Sequence, residues 1–384
     1  MQRIIISLIG IFLIWRVLLF VPLFIGQQLF IYRQAFDYTN IWKFIKPYEP
    51  VNNILLYPWA NFDGVYYLAI AGGEYTKDNA GFFPAFPLLI NVIHLVLGGG
   101  QTYGLMQFFS ALFIVNIVFI LSLYAFYKLL RFDYDHSTST KIIILLLIFP
   151  TSFYFVSIYS EGLFFLLTVL SFYFARKRQW FFAGICGMFL TATRIVGVAI
   201  FPALVYELYF QEKTFKTKKI INLFFIPIGI VSYGVFNLVS WGNFFHFLQA
   251  HGTLGNGRST DSLVLFPQTI FRYIKIIFSV SPDIYEWWIA LLELVIFIVA
   301  MLLIYLGFKK LIRLSYLVFA AIAFLIPVFS GTFSGLPRYV IVLFPLFITL
   351  ALINKKWIHV TYVVCGIILS FLLLMLFSRG YFIA

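Results

Sequence analysis

The sequence predicts an all-α, polytopic integral membrane protein, and three observations support this prediction. Of the 384 residues, 62% are hydrophobic and 11% are charged, whereas soluble domains carry roughly 25% charged residues. Apolar runs close to the roughly 20 residues that cross a bilayer as a helix recur along the chain. The polar segments between them are too short for a separate soluble domain, so we expect one integral domain over residues 1–384.

The first apolar run and the cysteines add to this interpretation. Residues 4–25 lack a small-residue cleavage site, so we expect an uncleaved membrane anchor. Cys186 and Cys365 lie within apolar runs and predict neither a disulfide nor a metal site. The net charge of +13 comes from Lys and Arg in short turns, which is typical of cytoplasmic loops and not of nucleic-acid binding.

The basic turns orient the chain in the membrane. Residues 176–178, 213–219, 309–313 and 355–356 are expected to be cytoplasmic. The predicted spans that follow from them are residues 220–240, 284–308, 314–330, 339–353 and the last apolar run, with external loops at about 32–83, 241–283 and 331–338.

The middle of the chain allows two threadings, which differ in residues 84–97. If this segment crosses fully, residues 131–140 are external, Glu161 is cytoplasmic and the basic residues 176–178 violate the positive-inside rule. If it is a short re-entrant or interfacial helix, Glu161 is external and residues 179–210 form two short spans. Both alternatives give about eleven crossings, and the charge pattern favours the second.

Asp63 stands out among the 14 acidic residues. It follows an aromatic stretch and opens DGVYYLAIAG, whose apolar residues predict a short helix at the membrane surface. Asp63 could be the N-cap of that helix, a general base with a pKa adjusted by partial desolvation, or both. Glu207 and Glu212 instead border the basic residues 213–219, which predicts local charge pairing.

Three stretches of the chain match a family pattern in order. The first stretch consists of WANFDGVYYLAIAGGEY and the AGFFPAFPLLI that follows it. The second contains YSE and ATR, and the third is SGLPRYVIVLFPLF. Together they span residues 59–347 and resemble the PIG-V family, which comprises GPI mannosyltransferase 2 and its prokaryotic relatives. The chain has Phe62 where the family commonly has Trp.

The resemblance implies a GT-C type glycosyltransferase, an all-helical membrane enzyme with a large first external loop. Such an enzyme takes a hexose, in this family mannose, from a polyprenyl-phosphate carrier such as dolichol phosphate mannose. It transfers the sugar with inversion to a glycan or glycolipid on the non-cytoplasmic face. The catalytic base is an Asp in the first external loop, and Asp63 occupies the matching position.

The donor phosphate calls for cationic or hydrogen-bonding groups, and a guanidinium matches the geometry of phosphate oxygens. We expect Arg338, Arg194 and Arg258 to bind it, with His251 as a further hydrogen-bonding group. The alternatives are snorkelling of Arg338 to the interface, pairing of Arg194 with a buried acid, and solvation of Arg258.

Five further residues are expected to contact the substrates. Glu161 could instead be a charge favoured by a helix start, and Glu74 could be solvated. The few histidines have no convincing ligand spacing, so no metal or other cofactor is expected. The five substrate-binding candidates are Glu161, Tyr159, Glu74, Tyr67 and Tyr339.

Two other function classes remain open. A transporter or flippase of lipid-linked sugars would place its polar groups near the bilayer midplane in broken helices, whereas here they collect in predicted external loops. A structural partner of a glycosyltransferase complex would tolerate the loss of Asp63. The expected partners are membrane lipids, a polyprenyl-phosphate-linked sugar and its acceptor, in a prokaryotic plasma membrane or, alternatively, the endoplasmic reticulum.

Overall fold

The computed structural model describes residues 2–33, 55–100, 104–214, 218–253, 258–259, 263–310 and 312–383, without the side chains of Gln2, Arg3, His251 and Thr253. Within these ranges the chain folds into helices joined by loops, and the only β-type pairing is an isolated parallel bridge between Val264 and Ser330. The predicted all-α fold class is confirmed.

The described residues contain seventeen α-helices and four 3₁₀ helices. The α-helices are α1 Gln2–Leu18, α2 Phe20–Leu29, α3 Asp63–Ala71, α4 Ala85–Val96, α5 Leu105–Leu130, α6 His136–Ile148, α7 Glu161–Arg176, α8 Trp180–Thr191, α9 Ile200–Glu212, α10 Ile226–Trp241, α11 His246–Thr253, α12 Phe266–Ser279, α13 Tyr285–Lys309, α14 Leu314–Val328, α15 Leu336–Val340, α16 Phe344–Ala351 and α17 Lys356–Ser378. The 3₁₀ helices are Tyr57–Ala60, Ser152–Val156, Ile195–Ala199 and Lys218–Phe225.

Several helical segments are long and apolar enough to cross a membrane, which makes the chain a polytopic integral membrane protein. Shorter apolar helices, namely α4, α6, α8 and α14, accompany them. The predicted total of about eleven crossings stays a prediction. The six long segments among the described residues are Ile4–Leu29, Leu105–Leu130, Ile195–Glu212, Lys218–Trp241, Tyr285–Lys309 and Lys356–Ser378.

The length of α4 bears on the two threadings of the middle of the chain. Its 12 residues extend about 18 Å as a helix, well short of the roughly 30 Å hydrocarbon core. This length favours a re-entrant or interfacial helix at residues 84–97.

One predicted span is interrupted in the structure. Residues 339–353 form parts of α15 and α16 instead of one helix, because Pro345 lacks an N–H and its ring would clash with the preceding turn. Residues 4–25 fall in α1 and α2, which meet at Leu19 and belong to the one long apolar segment Ile4–Leu29.

The chain divides into two compact units. The first comprises Met1–Tyr75, Phe82–Tyr173 and Lys356–Ile383, and the second comprises Thr76–Gly81 and Phe174–Lys355. Whether they function as the single expected domain stays a prediction.

In the first unit, α17 packs against α2 and α6. A Cβ added to Gly26 of α2 would lie 3.1 Å from Met375 of α17, and small residues allow membrane helices to approach this closely. The Tyr362 hydroxyl of α17 donates a 2.8 Å hydrogen bond to the Leu145 carbonyl of α6. These contacts fix α17, whose Phe377 ring packs on the ring of Phe62.

In the second unit, α8 and α10 pack backbone to backbone. A Cβ at Gly229 would lie 1.9 Å from the Met188 carbonyl oxygen, a position that only glycine can occupy. The Thr191 hydroxyl of α8 donates a 2.7 Å hydrogen bond to the Ile226 carbonyl of α10. These two contacts hold α8 and α10 together.

A buried ion pair joins α9 to the start of α14. Arg313 donates to both carboxylate oxygens of Glu207, at 2.7 and 2.5 Å, and Ser315 donates to the same group at 2.7 Å. The sequence predicted that Glu207 pairs with the basic residues 213–219. This prediction is wrong, because the partner of Glu207 is Arg313. That prediction is correct for Glu212, which pairs with Lys219 at 2.8 Å.

Candidate functional site

Asp63 begins α3, and the residue before it has an unusual backbone conformation. Phe62 has φ 59° and ψ −114°, which non-glycine residues rarely adopt and which costs about 1–3 kcal/mol. Phe62 occupies the N-cap position, so the N-cap interpretation of Asp63 is wrong. Asp63 is the first helical residue, where the helix dipole favours a carboxylate.

Tyr159 stabilises the turn that presents Asp63. Its hydroxyl accepts a 3.3 Å hydrogen bond from the Asp63 N–H and donates a 2.8 Å hydrogen bond to the Asn61 carbonyl. The neighbouring Ile158 N–H donates to the Trp59 carbonyl at 2.7 Å. Because Tyr159 is only 1% exposed, it can hold the turn but offers little surface to a substrate.

Tyr67 connects α3 to the same segment. Its hydroxyl donates a 2.9 Å hydrogen bond to Ser160 Oγ, and its ring lies 6.5 Å from that of Tyr159, centroid to centroid. Tyr67 is also buried. Both tyrosines, expected to contact substrates, therefore support α3 from its buried side.

Asp63 lies on the accessible side of α3. Asp63 and Tyr66, one turn apart, are half-buried, whereas Gly64 and Val65 between them are buried. The Tyr66 ring stacks on Phe82 with centroids 4.8 Å apart. A half-buried carboxylate on an ordered turn, beside aromatic rings, is suited to accept a proton from a sugar hydroxyl.

The other two predicted carboxylates of this unit have different environments. Glu161, the first residue of α7, is 1% exposed and directly follows the Tyr159–Ser160 pair that holds α3. Its burial favours a functional or paired carboxylate over a solvated helix-start charge. Glu74 follows α3 and is exposed, which favours the solvated interpretation.

In the second unit, three arginines surround the side chain of Tyr339, and we name Arg194, Arg258 and Arg338 the arginine cluster. Arg258 donates 2.9 Å hydrogen bonds to the Tyr339 hydroxyl and to the Ser334 carbonyl. The Arg194 Cζ lies 4.6 Å from the centroid of the Tyr339 ring, within cation–π distance. Arg338 precedes Tyr339 in α15. The structure thus brings together the three arginines that the sequence predicted.

The arginine cluster changes the acidity of Tyr339, which is 7% exposed. Burial of the phenol opposes ionisation, but the charges of the three arginines, Arg258 foremost, outweigh it and lower the pKa of Tyr339 to about 8. The lowered pKa indicates a positive electrostatic potential around the Tyr339 hydroxyl. The same potential favours binding of an anion such as a lipid-linked phosphate.

Two loops that the sequence predicts to be external meet at the arginine cluster. The Ser259 N–H donates to the Ser330 carbonyl at 2.8 Å, and Arg272 Nη1 donates to the Gly331 carbonyl at 2.7 Å. These bonds bring Arg258 to Tyr339 although 81 residues separate them.

Glu293, within α13, is a residue that the sequence analysis did not select. Its carboxylate is 4% exposed and accepts hydrogen bonds from the Tyr273 hydroxyl at 2.6 Å and from the Gly335 N–H at 3.1 Å. A lone carboxylate inside an apolar run is costly to bury, and this signal could have identified it.

Some predicted features lie outside the described residues. They include the side chain of His251, whose backbone belongs to α11, and residues 34–54 of the predicted first external loop. Among the described residues, no group of three or more His, Cys, Asp or Glu side chains could hold a metal ion. That catalysis requires no metal stays a prediction.

In comparisons with known proteins, no family model matches the chain, and no curated protein matches it. The resemblance to the PIG-V family therefore rests on the three sequence motifs alone.

Proposed function

We propose that the protein is a membrane glycosyltransferase that moves a hexose, which the resemblance to the PIG-V family gives as mannose, from a polyprenyl-phosphate carrier to a glycan or lipid-linked acceptor. The observation that carries this proposal is the convergence of Arg194, Arg258 and Arg338 on Tyr339. Two of these arginines belong to family-like motifs, ATR and PRY, and the third comes from a predicted external loop. Cations gathered around a buried phenol provide the chemistry that a lipid-linked phosphate requires.

The arginine cluster would act on the donor. As the bond between sugar C1 and the phosphate oxygen breaks, its electron pair stays on that oxygen and negative charge accumulates on the phosphate. Guanidinium groups already in place stabilise this charge without reorganisation. Because the leaving phosphate is stable as an anion, no separate acid is needed to protonate it. His251 is proposed to donate a further hydrogen bond to the phosphate.

Asp63 would act on the acceptor. In an inverting transfer, a carboxylate takes the proton of the acceptor hydroxyl as that oxygen bonds to C1 and the bond between C1 and the phosphate oxygen breaks. The hydrogen bonds of Tyr159 and Tyr67 keep α3 in place during this step. Glu161 is proposed to position a sugar hydroxyl.

The proposal extends to a GT-C type fold with about eleven crossings, a relationship to the PIG-V family, and catalysis on the external face of a prokaryotic plasma membrane. These points are supported by the three motifs and by the distribution of basic turns.

The test is sugar transfer by the purified protein to a lipid and glycan extract. Radiolabelled polyprenyl-phosphate-mannose is compared with polyprenyl-phosphate-glucose and with a nucleotide-linked mannose. We expect transfer from polyprenyl-phosphate-mannose only. Transfer from the nucleotide sugar would overturn the donor class. The absence of any transfer, combined with movement of the labelled lipid across vesicles, would favour a transporter or flippase.

A further inference from the structure

We propose that Glu293 is a positioning residue, which holds the loop that presents the arginine cluster and thereby sets the affinity for the lipid-linked phosphate. This inference deepens the proposed function and rests on it.

One oxygen of Glu293 fixes the start of α15. Oε1 accepts a 3.1 Å hydrogen bond from the N–H of Gly335, the N-cap residue of α15. Gly335 has φ 76°, a left-handed conformation that favours glycine. Since α15 carries Arg338 and Tyr339, the carboxylate is attached where the helix that bears both residues begins.

The other oxygen of Glu293 fixes the preceding loop through Tyr273. Oε2 accepts a 2.6 Å hydrogen bond from the Tyr273 hydroxyl. That hydroxyl oxygen accepts a 3.0 Å hydrogen bond from the Phe333 N–H and lies 3.2 Å from Thr332 Oγ1. One buried carboxylate therefore holds residues 332–335 through two routes.

This hydrogen-bond network ends at the arginine cluster. Thr332 Oγ1 accepts a 3.1 Å hydrogen bond from the Ser334 N–H. The Ser334 carbonyl accepts a 2.9 Å hydrogen bond from Arg258 Nη2, and Arg258 Nη1 bonds the Tyr339 hydroxyl. A displacement of the loop would move the acceptor that orients the Arg258 guanidinium.

A carboxylate is the side chain suited to this position. The Tyr273 hydroxyl and the Gly335 N–H both donate to Glu293, whose carboxylate offers one acceptor oxygen to each. The amide of Gln has nearly the same shape but presents one acceptor and one donor, so it keeps both contacts only if its NH2 group donates to the Tyr273 hydroxyl oxygen and that hydroxyl turns its own proton to Thr332 Oγ1. Glu293→Gln therefore changes the side-chain volume little, but it reverses and weakens the hydrogen bond to Tyr273.

The test measures binding of radiolabelled polyprenyl phosphate, without a sugar, to the full-length protein in bilayer discs of neutral lipid. Weakening of the hydrogen bond to Tyr273 should raise the Kd about tenfold in Glu293→Gln. The matched control is Glu286→Gln, an exposed glutamate of the same helix, which should bind as wild type. In transfer assays, we expect the donor KM of Glu293→Gln to rise while the acceptor KM stays unchanged. The weakened buried hydrogen bond should also lower the thermal unfolding midpoint by a few degrees, without unfolding the protein at the assay temperature.

The outcomes separate this inference from the proposed function. If Glu293→Gln binds polyprenyl phosphate as tightly as wild type, the positioning role is wrong and the proposed function stands. If folded wild-type protein binds no polyprenyl phosphate, both the phosphate role of the arginine cluster and the role of Glu293 are wrong. If Glu293→Gln does not fold, Tyr273→Phe decides the question, because unchanged affinity in that folded variant would overturn the network's role.

Discussion

The ionisation of Tyr339 provides a direct test of the electrostatic field at the arginine cluster. The lowering of its pKa from the ordinary value of 10.0 to about 8 corresponds to about 3 kcal/mol in favour of the phenolate. Arg258 contributes both its charge and a hydrogen bond to the phenol oxygen. Arg258→Met should therefore raise the pKa of Tyr339 by about 1–3.

The assay is a near-ultraviolet difference titration of purified protein. The chain has 24 tyrosines, so the signal of Tyr339 is isolated by subtracting the titration of Tyr339→Phe. Arg131→Met, which alters an exposed arginine after α5, is the control that should leave this signal unchanged.

The same titration links the field to ligand binding. A bound phosphate adds negative charge beside the phenol, so it should raise the pKa of Tyr339, and affinity should fall as pH increases through about 8. Tyr339→Phe should bind without this pH dependence. The reasoning is refuted if Tyr339→Phe removes no signal below the ordinary tyrosine range.

Three further predictions concern packing and positioning. Arg313→Met leaves the buried carboxylate of Glu207 without its cation and should lower the free energy of unfolding by about 3–5 kcal/mol, measured as a lower thermal unfolding midpoint. Adding Glu207→Gln should restore part of this loss, and no recovery would contradict the ion-pair account. Gly229→Ala places a Cβ 1.9 Å from a carbonyl oxygen of α8 and should cost about 1–3 kcal/mol by the same measurement, whereas Gly10→Ala, which meets nothing within 4 Å, should cost less. Tyr159→Phe removes the hydroxyl that holds the start of α3, so we expect kcat to fall about tenfold with an unchanged donor KM, and a change in KM alone would be inconsistent with that role.

The fold class could be predicted because polar groups are costly to place in hydrocarbon. Segments that cross a membrane must therefore be apolar, helical and about 20 residues long, and this is visible in the sequence. The ends of the helices could not be predicted in the same way. Hydropathy does not distinguish one helix over residues 339–353 from α15 followed by α16, and Pro345 was the local signal for the interruption. The break at Leu19 has a comparable signal, because Pro22 lacks the N–H that would bond the Leu18 carbonyl.

The residues of the candidate site could be predicted where the chemistry of the side chain alone distinguishes them. Asp63 and the three arginines could be selected because charges in an apolar chain are few. Their surroundings depend on long-range contacts, such as the hydrogen bond between Arg258 and Tyr339 and the one between Tyr159 and Asp63. Glu293 was missed because its partners come from separate segments of the chain.

The measurement that tests the central claim most directly is the transfer of mannose from radiolabelled polyprenyl-phosphate-mannose by Asp63→Asn, beside wild type and Asp133→Asn. Asp133 is an exposed loop residue, so its variant controls for the loss of one negative charge. We predict that Asp63→Asn folds and binds donor as wild type does but transfers mannose about 100-fold more slowly or worse. Transfer by Asp63→Asn at the wild-type rate would contradict the assignment of Asp63 as the base.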